Sequence, residues 1–185
     1  FKIENSNGRT IFYNICQLST KKGVDALIRS YYAAFADMPD DVLLVLKTYI
    51  NMADRTNDLP IVKQFIDRIR QGCNLPLQKY PPILPIVNTI SDQEIASLHK
   101  AGHCYIMSSR GEGFCYPAFD ALANGNALIS HKWGGTETFV NEDNALLYGG
   151  CMANCFDSPH PEPWLYSGIS QWFEPSTAEI SHLMR

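Results

Sequence analysis

A chain of 185 residues with 45% hydrophobic and 18% charged residues has the composition of a globular protein and is long enough to bury a sizeable core. A formal net charge of −4, with no block of Lys or Arg, argues against non-specific nucleic-acid binding. No apolar run approaches the length of a membrane span and no signal peptide is legible, so the expected location is the cytoplasm or the cytosolic face of a membrane.

Strands and helices alternate along the chain. That is the pattern of a Rossmann-like α/β fold, a parallel sheet with helices on both faces. The first strand is expected over 11–16. A helix follows from about Gly23, with Val24, Leu27, Ile28, Tyr31, Tyr32 and Phe35 on one face, and Met38-Pro39 ends it. The continuous apolar run 42–46 fits a strand buried on both sides. A second helix is expected over 60–70, with Ile61, Phe65 and Ile69 inward and Gly72 past its end. Residues 74–82 hold three prolines and read as a connection. Residues 83–87 form a short strand that Pro85 restricts to an edge or irregular position. Ser91 and Glu94 make a capping box for a helix through Lys100, which Gly102 stops. Further strands are expected at 103–108, 127–130 and 145–148, and a helix over about 117–124. Residues 149–175 read as irregular, and Ser176 with Glu179 caps a last helix.

In an open parallel sheet, ligands bind beyond the carboxyl ends of the strands. Three loops are expected to converge there: 17–23, 88–91 and 108–116. In the last, Gly111 and Gly113 allow close backbone approach. Pro117 suits a helix start, and Gly125 suits the position past its end. Strand, tight loop and helix N-terminus together present free N–H groups to an anion. A carboxylate there would repel phosphate, so Glu112 either caps the helix or contacts a neutral part of a phosphorylated ligand.

Six cysteines, at 16, 73, 104, 115, 151 and 155, read as free thiols in a reducing compartment. Cys151 and Cys155, even with His160, lack the paired ligands of a metal site, and no metal is expected. Cys115 stands where a helix N-terminus lowers a thiol pKa, but no base partner accompanies it.

Residues 112–135, EGFCYPAFDALANGNALISHKWGG, resemble the signature of the GT-B family of retaining glycosyltransferases, which includes sucrose-phosphate and mannosyl transferases. That signature is Glu-Gly-Phe-Gly-x-Pro-x-x-Glu-Ala-x-Ala-x-Gly-x-Pro-Val, then Gly-Gly. The resemblance runs from about residue 11 to 144. It departs at Cys115 for glycine, Asp120 for the second glutamate, and Asn126-Ala127 for Pro-Val.

The resemblance implies a site, residue by residue. The loop QLSTKKGVD is similar to the family's Arg-x4-Lys-Gly, which grips the donor diphosphate. Lys22 matches the lysine, while Gln17 replaces the arginine and brings no charge. Either Lys21 or Arg110 compensates, or phosphate is held more weakly. Glu112 would contact hydroxyls of the transferred sugar. The backbone of Gly113, Phe114, Cys115 and Tyr116 would cradle the sugar and distal phosphate. Asp120 would hold the ribose diol, since a carboxylate accepts two hydrogen bonds at once. Thr89 and Ile90 would border the base. Lys22 and Glu112 are the candidate catalytic residues. Read without the resemblance, Lys21 and Lys22 open a solvated helix, and Asp120 is a surface acid favoured by the helix dipole.

The implied activity is metal-independent transfer of a sugar from a nucleoside diphosphate to an acceptor, with retention by front-face attack and no cofactor. No Asp-x-Asp occurs, which argues against the metal-dependent glycosyltransferase class. Residues 1–185 would be one donor-binding domain. Its partners would be the nucleotide sugar, an unidentified glycan, protein or lipid acceptor, and an acceptor-binding domain expected before Phe1. The alternatives are a nucleotide-sugar-binding module without transferase activity and a sugar-nucleotide epimerase.

Overall fold

The computed structural model describes residues 3, 6, 8–76, 79–155 and 169–185. Strand and helix alternate through β1 (Thr10–Gln17), α1 (Val24–Phe35), β2 (Val42–Tyr49), α2 (Asp58–Cys73), β3 (Ile83–Ile86), α3 (Asp92–Ala101), β4 (Cys104–Ile106), α4 (Tyr116–Ala123), β5 (Ala127–Ser130) and β6 (Leu146–Leu147). The six strands form one parallel sheet in the order β3-β2-β1-β4-β5-β6. Chain progression reverses between β1 and β4, where a doubly wound sheet opens a crevice at its carboxyl edge.

Side-chain alternation along the strands feeds two cores. Leu44 and Leu46 of β2 join Leu27, Ile28 and Tyr31 of α1 and Val62, Ile66 and Ile69 of α2 on one face. Leu43 and Val45 join Tyr13, Leu98, Tyr105, Ala118 and Ala121 on the other. Val42 to Leu46 are thus all buried, as the unbroken apolar run implies. Each large aliphatic side chain so buried contributes about 1.5–3 kcal/mol. Pro85 sits in β3, an edge strand. Ser91 and Glu94 make both bonds of the expected capping box.

Several expectations are corrected. α2 runs from Asp58 to Cys73 instead of 60–70, so Gly72 lies inside it, and its buried apolar positions are Val62, Ile66 and Ile69, while Ile61 is 46% exposed. Pro60 is tolerated at the third helical position because N–H groups of the first turn have no intrahelical partner. Asp58 also accepts from the Ile50 N–H at 3.0 Å, which fixes where the helix begins.

Residues 149–175 are not wholly irregular. β7 (Gly150–Asn154) pairs antiparallel with β8 (Gln171–Pro175), and α5 (Thr177–Leu183) follows and packs on α1. β7 shows no inward–outward alternation of apolar residues, so periodicity could not reveal it. His160 and Trp164 lie outside the described residues. Ser176 caps α5, but Glu179 accepts from the Gly149 N–H at 2.6 Å instead of closing a capping box. Among the described residues, no helix is long and apolar enough to cross a membrane.

Candidate functional site

Gln17, Lys22, Thr89, Ile90, Glu112, Phe114, Cys115 and Tyr116 line one cleft of about 580 Å³ beyond the carboxyl edge of the sheet. All three expected loops contribute to it. Gly113 and Asp120 lie outside its wall.

The first loop is locked onto the third. Gly23 has φ +60°, and a Cβ there would stand 1.9 Å from the Ser108 carbonyl oxygen. Only glycine fits so close an approach in that conformation. Around it, Ser108 Oγ donates to the Lys22 carbonyl at 3.1 Å, Ser109 Oγ to the Lys21 carbonyl at 3.1 Å, and the Arg110 N–H to the Lys21 carbonyl at 2.7 Å. This docking brings Lys22 Nζ to 2.6 Å from Glu112 Oε1. Burial pulls the Lys22 pKa down, but the hydrogen bond and charge of Glu112 more than offset it and hold it above its ordinary value.

The loop 111–116 is backed by the glycine pair. Gly135 N–H donates to the Glu112 carbonyl at 3.0 Å, and a Cβ on Gly135 would fall 1.8 Å from the Gly113 oxygen. Behind it, His131 Nε2 donates to the Ser109 carbonyl at 2.8 Å, and Trp133 stacks on Phe173. The segment His131 to Trp133 therefore supports the loop from outside the cleft. Glu137 accepts from the Gly134 N–H and Thr138 donates to the Gly135 carbonyl, so both are engaged locally.

Cys115 caps α4 in the left-handed conformation, φ +70°, at the position where the resembled signature has glycine. A side chain there costs about 1–2 kcal/mol. Turning the chain this way leaves the N–H groups of Phe114, Cys115 and Tyr116 without an acceptor among the described residues. They stand at the positive end of α4, where an anion is favoured. Burial and the neighbouring Glu112 charge push the Cys115 thiol up to about 11, so it is protonated at neutral pH and is no thiolate nucleophile.

Other expected residues are less directly placed. Gln17 Nε2 donates to the Ile50 carbonyl at 3.0 Å. Arg110 does not stand in for the missing arginine. It is buried, bonded twice to Asp25 at 3.0 Å and to Glu174 at 2.6 and 2.7 Å, which ties the loop to α1 and β8. Lys21 is not in the cleft wall either. Asp120 is half-buried one turn into α4, and its charge is felt by Tyr13 and His99. Cys151 is exposed, Cys155 is buried, and both are free. Among the described residues, no group of three or more His, Cys, Asp or Glu could hold a metal.

Two cations in the wall were not anticipated: Lys47, near the carboxyl end of β2, and Arg55, in the loop that follows. Arg55 lies over the Tyr49 ring, 4.8 Å from its centroid. A lysine closing the apolar run VLLVLK was the available signal.

No protein-family model and no curated protein sequence matches the chain. Solved structures do. The chain is similar to an α,α-trehalose 6-phosphate synthase from Burkholderia multivorans, with TM-score 0.67 and 12% identity over 98% of this chain and 35% of that one. It is similar to a UDP-forming α,α-trehalose-phosphate synthase from Burkholderia xenovorans in complex with glucose-6-phosphate, with TM-score 0.61 and 15% identity over 77% of this chain and 33% of that one. The C-terminal domain of a group 1 glycosyl transferase, LpcC, from Francisella tularensis matches with TM-score 0.59 and 20% identity over 88% and 74% of the two chains. The chain thus spans about a third of the length of the synthases it matches. At these identities the likeness establishes the fold: this chain has the Rossmann-like α/β architecture of one domain of the GT-B glycosyltransferases.

Proposed function

We propose that this chain is the donor-binding domain of a retaining, metal-independent glycosyltransferase that moves a sugar from a nucleoside diphosphate to an acceptor. The observation that carries the reading is the Lys22–Glu112 pair at 2.6 Å, set in the cleft beside the free N–H groups of Phe114, Cys115 and Tyr116. A departing diphosphate needs positive charge, and here the protein offers an ammonium and oriented N–H dipoles in a recessed wall. Fixed donors aimed at developing charge are the most effective form of such stabilisation.

Lys22 has to divide its three donors between Glu112 and a phosphate. Glu112 holds the lysine in place and presents its second oxygen to a sugar hydroxyl. The 113–116 backbone receives the distal phosphate. Thr89 and Ile90 border the base. Asp120 takes the ribose diol if the ligand extends along α4 past Pro117. The acceptor and an opposing acceptor-binding domain complete the site from outside this chain, since transfer requires acceptor alignment and exclusion of water.

A second reading, nucleotide-sugar binding without transfer, is favoured by Gln17. It supplies no charge where the resembled motif has arginine, and its amide already donates to Ile50.

Calorimetric titration with UDP-, GDP- and ADP-sugars tests binding. A product assay with labelled donor, run on this chain and on a version extended at its N-terminus, tests transfer. Binding by both forms with transfer by the extended form alone is the expected result. Robust transfer by the 185-residue chain would overturn the two-domain reading, and binding without transfer by either form would favour the binding module.

A further inference from the structure

Lys47 is 5% exposed, yet it lines the cleft, and its ammonium has no hydrogen-bond or ion-pair partner among the described residues. It sits near the carboxyl end of β2, next to the edge strand, opposite Ile15 of β1 and Ile86 of β3. Burial and the like charge of Arg55 disfavour its charged form and outweigh the opposing influence of Cys16 and Asp58. The lysine is mostly shielded from water, so an ammonium without a hydrogen-bond acceptor among the described residues is poorly satisfied there. An acceptor on a bound ligand would satisfy it.

Position narrows the ligand group. Lys22, Glu112 and the free N–H groups of α4 occupy the β1–β4 half of the cleft. Lys47, Tyr49, Arg55, Thr89 and Ile90 occupy the β2–β3 half. If the diphosphate lies at the first, as proposed above, the base lies at the second. An ammonium donates three hydrogen bonds and accepts none. Beside it, a ring carbonyl oxygen is favourable, whereas an amino group brings donor against donor and leaves the ammonium unpaired.

We propose that Lys47 reads the donor base, so that the cleft selects a base carrying an exocyclic oxo group, as in uracil or guanine, over one carrying an amino group at the same position, as in cytosine or adenine. The inference rests on the donor-binding reading. A site built around a required polar contact rejects the analogue lacking it strongly, because its own buried group is left unpaired.

Two ligand pairs isolate the group: UDP against CDP, and inosine diphosphate against ADP. Each pair differs at one ring position, oxo for amino. Titration calorimetry on the chain should show the oxo member binding at least about tenfold tighter in both pairs. In Lys47→Met, which keeps length and removes charge, both preferences should shrink to within about threefold, mainly through weaker UDP and inosine diphosphate binding. Lys47→Gln can accept as well as donate, and should gain relative affinity for CDP and ADP. Equal weakening of all four ligands in Lys47→Met would show that Lys47 grips phosphate, and would overturn the inference while leaving donor binding intact. An undiminished oxo preference in that variant, or none in the parent chain, would overturn it too. No binding of any of the four would overturn the donor-binding reading and this inference together.

Discussion

Lys22 Nζ stands 2.6 Å from Glu112 Oε1 across the floor of the cleft, joining two loops separated by 90 residues of chain. The lysine side chain is 26% exposed and the glutamate 11%, so the pair is partly shielded and still open to a ligand. A hydrogen bond to a charged group contributes about 1.5–3 kcal/mol. Lys22→Ala is therefore expected to weaken nucleoside-diphosphate binding by about ten- to a hundredfold. It should also lower the melting temperature, since Glu112 would keep its burial and lose its cation. Unchanged affinity by calorimetry would remove Lys22 from the phosphate site.

Asp120 lies outside the cleft wall and influences Tyr13 and His99, whose Oη and Nδ1 are 2.9 Å apart. As a ribose contact it should discriminate between sugars. Asp120→Asn is expected to weaken a ribonucleoside diphosphate several-fold more than its 2′-deoxy counterpart, because the amide donates where the carboxylate only accepts. Equal losses would assign Asp120 to the support of α4 instead.

Cys115 holds a left-handed conformation with a side chain. Cys115→Gly relieves about 1–2 kcal/mol of backbone strain. The added freedom of the unfolded chain and the lost thiol packing act against this gain, so the melting temperature should change by no more than a few degrees. Cys115→Val places a β-branched side chain at the same φ, and thermal unfolding should show a clear loss of stability, with weaker nucleotide binding because the N–H groups of the loop are displaced. Equal stability of the glycine and valine variants would show that the loop does not depend on this conformation.

Burial lowers the pKa of His99 and His131 below the ordinary 6.5, and each has one ring nitrogen buried without a partner. An imidazole harder to protonate folded than unfolded takes up protons on unfolding, so its contribution to stability is complete above the ordinary pKa and is lost as pH falls. The melting temperature should hold from pH 8 to about 7 and then fall as pH drops through about 6.5 toward 5, above the range in which carboxylates titrate. His99→Gln should flatten part of that fall. A flat profile across this interval would mean that neither ring resists protonation in the folded chain.

The sequence alone determined the strand and helix alternation, the capping box at Ser91, the edge position of Pro85 and the three loops that meet at the cleft. These depend on local periodicity, on turn chemistry and on the rule that parallel strands share a carboxyl edge. What tertiary structure decided was pairing. Arg110 is as basic in sequence as Lys22, but its partners Asp25 and Glu174 are distant in the chain, and only their convergence consumes it. Lys47 reads as the polar end of an apolar strand, and only the packing around it leaves the lysine largely buried with no hydrogen-bonded partner among the described residues. Strand β7 likewise has no periodic signature, and it meets β8 through a register between segments distant in the chain. Charge and periodicity are properties of residues and short windows. Whether a charge is satisfied depends on which other windows the fold brings beside it.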